Sequence, residues 1–131
     1  MGVRISAMER RYLFAAIAAF ALTALCLSYF DIGLSFSERY IWWDSLEHVL
    51  GGVTVGFVAL FLATLSRISN TTFFAVLSAL CVGLAWEIME AQTGIGTSLY
   101  LGYAADTIKD LVCDCIGGYI AVYIGHLMRH V

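Results

Sequence analysis

Seven of the ten acidic residues in this chain fall in three short segments. Asp44 and Glu47 lie beside His48, Glu87 and Glu90 stand three apart, and Asp106, Asp110 and Asp114 recur at steps of four. Residues three and four apart share one face of a helix. Written as helices, the segments carry three stripes: Asp44, Glu47, His48 and Gly51; Gly83, Glu87 and Glu90; Asp106, Asp110, Asp114 and Gly117. Carboxylates joined by one imidazole form a donor set for a divalent cation, and Mg²⁺, Mn²⁺, Ca²⁺, Zn²⁺ and Fe²⁺ all fit it. His48, Glu87, Asp110, Asp114 and Asp44 are the candidate metal ligands, with Glu47 able to add an oxygen. Glu90 and Asp106 are the candidate catalytic bases. Arg39 and Lys109 are the candidate cations for holding a phosphate, or else counter-ions to Glu38 and Asp106.

The elements that carry these residues are read from composition. Of 131 residues, 61% are hydrophobic, 13% are charged and none is proline; the mean hydropathy is +0.86. The charged share is about half that of a soluble domain. A fold this small has too little interior to hide so much apolar surface, so its solvent is lipid. Disordered chains, ordinary soluble enzymes and nucleic-acid binders are excluded; the net charge is −3 and the seven Lys/Arg form no basic run. Cys26, Cys81, Cys113 and Cys115 sit in apolar stretches without zinc-site spacing and read as small apolar residues.

Four spans are expected, at about residues 12–30, 46–65, 71–92 and 106–127. Each is long enough to cross about 30 Å of hydrocarbon at about 1.5 Å per residue. The fold class is therefore all-α, a four-transmembrane-helix bundle in one domain covering 1–131. Arg4, Arg10 and Arg11 precede the first span as in a signal peptide, but its length and the absence of a small-x-small cleavage site favour a retained helix. Arg4, Arg10, Arg11, Arg67 and Arg129 fall on one side of this arrangement, and only Arg39 and Lys109 on the other. The positive side faces the cytoplasm, which places both termini inside a bacterial inner membrane. Tyr40, Trp42, Trp43, Tyr100 and Tyr103 then form an outer aromatic belt. Gly52-x-x-x-Gly56, Ala75-x-x-x-Ala79-x-x-x-Gly83 and Gly117-x-x-x-Ala121-x-x-x-Gly125 are small-residue spacings that let membrane helices approach closely.

In this arrangement all three acidic stripes lie in the outer half of the membrane and face the bundle interior. Asp44, Glu90 and Asp106 form a rim; His48, Glu87 and Asp110 lie about 6 Å deeper, and Asp114 deeper still. A lone charge at a helix centre costs roughly 2.5–3.5 kcal/mol on insertion scales. Seven carboxylates with few cations near them need bound protons, a wet cavity or a bound cation. Asp106 also reads as an N-cap for the fourth span. The linker from Thr93 to Ser98 reads as a connector, or as a backbone nest for an anion.

Asp44-x-x-x-His48-x-x-Gly51-Gly52, Trp86-Glu87-x-x-Glu90 and Asp106-Thr107-x-x-Asp110-Leu111-x-x-Asp114-x-x-Gly117-Gly118 resemble the motifs of the VanZ-like and YjdF-like (DUF2238) families of small bacterial membrane proteins. The arginine typical of VanZ-like chains between the Glu and Asp motifs is missing, so the YjdF-like branch fits better. The resemblance implies a helical membrane bundle with Asp44, His48, Glu87, Asp106, Asp110 and Asp114 at its site, and a cell-envelope role such as the VanZ link to glycopeptide resistance.

Three functions compete. The first is a metal-dependent hydrolase or transferase acting on lipid-linked phosphates or envelope lipids. The second is a proton- or cation-coupled transport module, which four short helices would build only as a homo-oligomer. The third is a non-catalytic pocket for a cationic or lipid-linked ligand. Membrane lipids are the partners in each, and nucleic acid in none.

Overall fold

The computed structural model describes residues 7–66, 68–94 and 102–128. It is all-helical: α1 (Ala7–Leu34), α2 (Phe36–Arg39), α3 (Ile41–Ser66), α4 (Thr71–Thr93) and α5 (Tyr103–Met128). Four segments are long and apolar enough to cross a membrane: Arg10–Asp31, Ile41–Ser66, Thr71–Thr93 and Tyr103–Met128. Arg4, Arg67, Arg129 and Tyr100, used above to orient the chain and to place its aromatic belt, lie outside the described residues.

Helix ends follow local chemistry. The Asn70 side chain accepts a hydrogen bond from Phe73 N and starts α4, and Gly94 ends it with φ 70°, a left-handed conformation that glycine adopts without strain. α5 starts just after Gly102, whose carbonyl accepts from both Ala105 N and Asp106 N. Asp106 is therefore one turn inside the helix, not its N-cap. α3 starts at Ile41, five residues before the expected boundary of the second span, because no proline or glycine interrupts the aromatic run before Asp44. The short helix α2 is a further departure. Asp31, at the end of α1, accepts from Ser37 N (2.6 Å) and from Ser37 Oγ (2.5 Å), folding the connection back on itself through Ser35 at φ 51°.

The core is the α3–α5 seam with α4 laid against it. Gly56 faces Ala121 and Gly118, while Gly118 faces Ala79 and the Ala75 backbone. A Cβ on Gly117 would overlap the Val49 carbonyl and come within 2.7 Å of Val53 N. Glycine is required there because two helix backbones touch, the packing mode of membrane helices. Val53, Phe57, Ala59, Leu60 and Ala63 close the seam below. α1 lies outside it, packing mainly on α3 through Leu13, Ile17 and Phe20, with Phe20 and Phe57 ring centroids 5.6 Å apart. Phe73, Leu65, Val82, Tyr119 and Tyr123 are exposed on the outer faces, where hydrocarbon would cover them.

Candidate metal centre

The tight seam has a chemical consequence at one end of the bundle. Asp44 sits in the first turn of α3 and His48 one turn further in; Glu87 and Glu90 close α4; Asp106, Asp110 and Asp114 run along the start of α5. All seven are buried or at the border of burial. The close helix approach that Gly52, Gly83 and Gly117 permit places these side chains against one another and not against lipid.

His48 is the centre. Its Nε2 lies 3.8 Å from Asp44 Oδ1, 3.8 Å from Glu87 Oε1 and 4.0 Å from Asp110 Oδ1. These oxygens come from three helices. Its other ring nitrogen, Nδ1, is 3.2 Å from Asp114 Oδ2. Two donor groups share the ring: Asp44, His48 and Asp110 in one, and His48, Glu87 and Glu90 in the other, with donor atoms within 4.8 Å of one another in each. Glu87 Oε1 is buried without a hydrogen-bond partner, and Asp110 Oδ1, equally buried, is met by the Lys109 ammonium at 2.9 Å. Glu87 is 3% exposed and Asp110 2%. Leaving a buried polar atom unpaired costs roughly 1–3 kcal/mol, and more when it is charged. Glu87 Oε1 and Asp110 Oδ1 lie 3.8 and 4.0 Å from Nε2.

Lys109 occupies the mouth. Its Nζ donates to Asp44 Oδ2 at 2.5 Å and to Asp106 Oδ1 at 3.0 Å, and lies 2.9 Å from Asp110 Oδ1. The ammonium is thus tied to three carboxylates. Arg39, exposed at the end of α2 just before α3, forms no ion pair among the described residues. Glu90 is held by Trp86, whose Nε1 donates to Glu90 Oε1 at 2.7 Å. That bond spans four residues on one helix, and its signal was the i, i+4 spacing of Trp86 and Glu90. Glu47 leaves the cluster and turns toward Ser28 and Asp31 of α1. Gly51, expected on the packed stripe, has open space where a Cβ would be, and Gly52 takes the packed position instead. Gly94 ends α4, while residues 95–98 of the suggested anion nest lie outside the described residues.

A buried ring of carboxylates around one imidazole, set in four membrane-length helices, defines an integral membrane protein with an ionisable site inside its bundle. The chain belongs to a family described as predicted membrane protein DUF2238, whose model matches residues 3–130. The VanZ-like side of the resemblance has no such support. No curated protein and no solved structure matches the chain.

Proposed function

We propose that this protein binds one divalent cation at the Nε2 side of His48 and, with it, acts as a hydrolase or transferase on a lipid-linked phosphate. The observation that carries this reading is the orphaned Glu87 Oε1, turned together with Asp44 Oδ1 and Asp110 Oδ1 toward a single imidazole nitrogen. Six carboxylates share this space with one lysine and one histidine, and a low-dielectric bundle tolerates such an excess only with bound protons or a bound cation. Oxygen atoms with one nitrogen match Mg²⁺, Mn²⁺, Ca²⁺, Zn²⁺ or Fe²⁺. A cation held there by His48, Asp44, Glu87 and Asp110 would supply polarisation of a phosphoryl oxygen.

The chain's own groups divide the remaining work. We assign the rim of the site, Asp44, Glu90 and Asp106, to headgroup depth with His48 about one helical turn deeper, so the reacting group of a suitable substrate reaches just below the headgroups and its tail lies in the hydrocarbon. Among the described residues Arg39 is a cation without an ion pair and is assigned to the phosphate, since Lys109 is already shared among Asp44, Asp106 and Asp110. Glu90, oriented by Trp86 beside the ring, is placed to take the proton of an attacking hydroxyl or water. The protein sits in a bacterial inner membrane with both ends cytoplasmic and the site facing the outer leaflet.

The test is metal analysis of protein purified without chelators, followed by phosphate release from polyprenyl and phosphatidyl phosphates. Stoichiometric metal, with release lost in Glu90→Gln and in His48→Ala, is expected. Absence of both metal and activity after supplementation with each of the five ions overturns the reading. The chain of ionisable contacts from Asp106 through Lys109, Asp110 and His48 to Asp114 favours a second reading, a proton or cation path. Proteoliposome flux abolished by Asp110→Asn, with no phosphate release, would select it.

A further inference from the structure

Asp114 stands apart from the other acids of the site. Asp44, Glu87 and Asp110 face Nε2 of His48, whereas Asp114 meets the opposite ring nitrogen, its Oδ2 3.2 Å from Nδ1. An imidazole that binds a cation through one nitrogen carries its hydrogen on the other, and a carboxylate acceptor fixes that tautomer and the plane of the ring. The carboxylate also needs room. A Cβ on Gly83 of α4 would overlap Asp114 Oδ2 and lie 2.7 Å from its Cγ, so the carboxylate lies directly over the bare backbone of residue 83. On the other side, a Cβ on Gly52 of α3 would overlap the Asp114 carbonyl and lie 2.9 Å from its Cα. Both the main chain and the side chain of Asp114 are therefore set by glycines of neighbouring helices. It is 5% exposed, so no water competes freely for its contact with the ring.

We propose that Asp114 is a positioning residue: it accepts the Nδ1 hydrogen of His48 and so presents Nε2, lone pair outward, to Asp44, Glu87 and Asp110, and Gly83 is the residue that gives it the space to do so. This assignment deepens the cation reading and rests on it for the role of Nε2. It takes Asp114 out of the set that touches the cation. Removing such an orienting carboxylate lowers metal affinity by about 10–100-fold while leaving the ligands themselves in place.

The experiment is ¹⁵N NMR of full-length, ¹⁵N-histidine-labelled protein in lipid nanodiscs, titrated with Zn²⁺, the His48 signals being assigned with His126→Gln and His130→Gln variants. The expected result is a hydrogen on Nδ1 of His48 with and without Zn²⁺, and a zinc-induced shift at Nε2 alone. Asp114→Ala should weaken Zn²⁺ binding about 10–100-fold and allow both tautomers. Asp114→Asn, which keeps the volume and a weaker acceptor, should fall in between, and it serves if the alanine variant does not fold. Gly83→Ala should weaken binding clearly more in the Asp114 protein than in an Asp114→Ala background, where the carboxylate overlap is gone and only the Cβ of residue 114, 3.2 Å away, stays close. A zinc shift at Nδ1 overturns the proposal. So does unchanged affinity and tautomer in both Asp114 variants, or an equal effect of Gly83→Ala in the two backgrounds. If the wild-type protein takes up no zinc but Nδ1 keeps its hydrogen toward Asp114, the cation reading falls and the orienting contact is upheld.

Discussion

The two ends of the α3–α4–α5 core are built on opposite principles. Toward one end, Gly56, Ala79, Gly118 and Ala121 bring helix backbones into contact, and Phe57 and Ala63 are buried beside them. At the other end the same close approach drives Asp44, His48, Glu87, Asp110 and Asp114 into mutual contact. In lipid, apolar side chains gain little by leaving hydrocarbon for one another, so association depends on close packing and polar contacts. The apolar end supplies the packing, and it holds together a charged end that would otherwise repel itself apart. A dry seam of small residues is thus the scaffold for a site whose own electrostatics oppose it.

The comparison predicts a ranked set of effects on stability, measured as unfolding free energy in mixed detergent or as melting temperature in nanodiscs. Lys109→Met should be the most damaging, by about 3 kcal/mol or more, because it strips the counter-charge from three buried carboxylates at once. A neutral effect would mean that the charged end does not need internal neutralisation. Gly117→Ala should follow at about 1–3 kcal/mol, since its Cβ would collide with main-chain atoms of Val49 and Val53 that cannot rotate away. Trp86→Phe should cost about 1 kcal/mol through the lost hydrogen bond to Glu90. Its larger consequence should be a drop in phosphate release. Gly51→Ala should be the mildest and of opposite sign, stabilising by up to about 1 kcal/mol, since nothing lies near that position and alanine is the better helix former. Equal losses at Gly51 and Gly117 would erase the distinction between a packed face and an open one.

Much of this was legible in the residues alone. The four spans follow from apolar run length, and the acids meet because steps of three and four keep Glu87 with Glu90, and Asp110 with Asp114, on single faces. Periodicity does not say which of two adjacent residues faces inward when a stripe broadens. Gly52 was read correctly from its spacing with Gly56, whereas Gly51, read onto the acidic stripe, faces open space, and Glu47, one position from His48, turned out to face α1. Lys109 illustrates a second limit. Its pairing with Asp106 is local, three residues along one helix, but its bond to Asp44 crosses to α3 and depends on a helix separation that only packing determines. Helix α2 depends on one carboxylate, Asp31, reaching Ser37 across a left-handed Ser35, a local choice with no periodic signal.

The central claim is a cation held at Nε2 of His48 by oxygens of three helices. Its most direct test is anomalous X-ray diffraction from crystals of the full chain soaked in Mn²⁺ or Zn²⁺, collected at the metal edge. The account predicts a single peak within coordination distance of His48 Nε2, Asp44, Glu87 and Asp110, lost in His48→Ala. A peak confined to surface carboxylates, or no peak while His48 keeps its present surroundings, would contradict it.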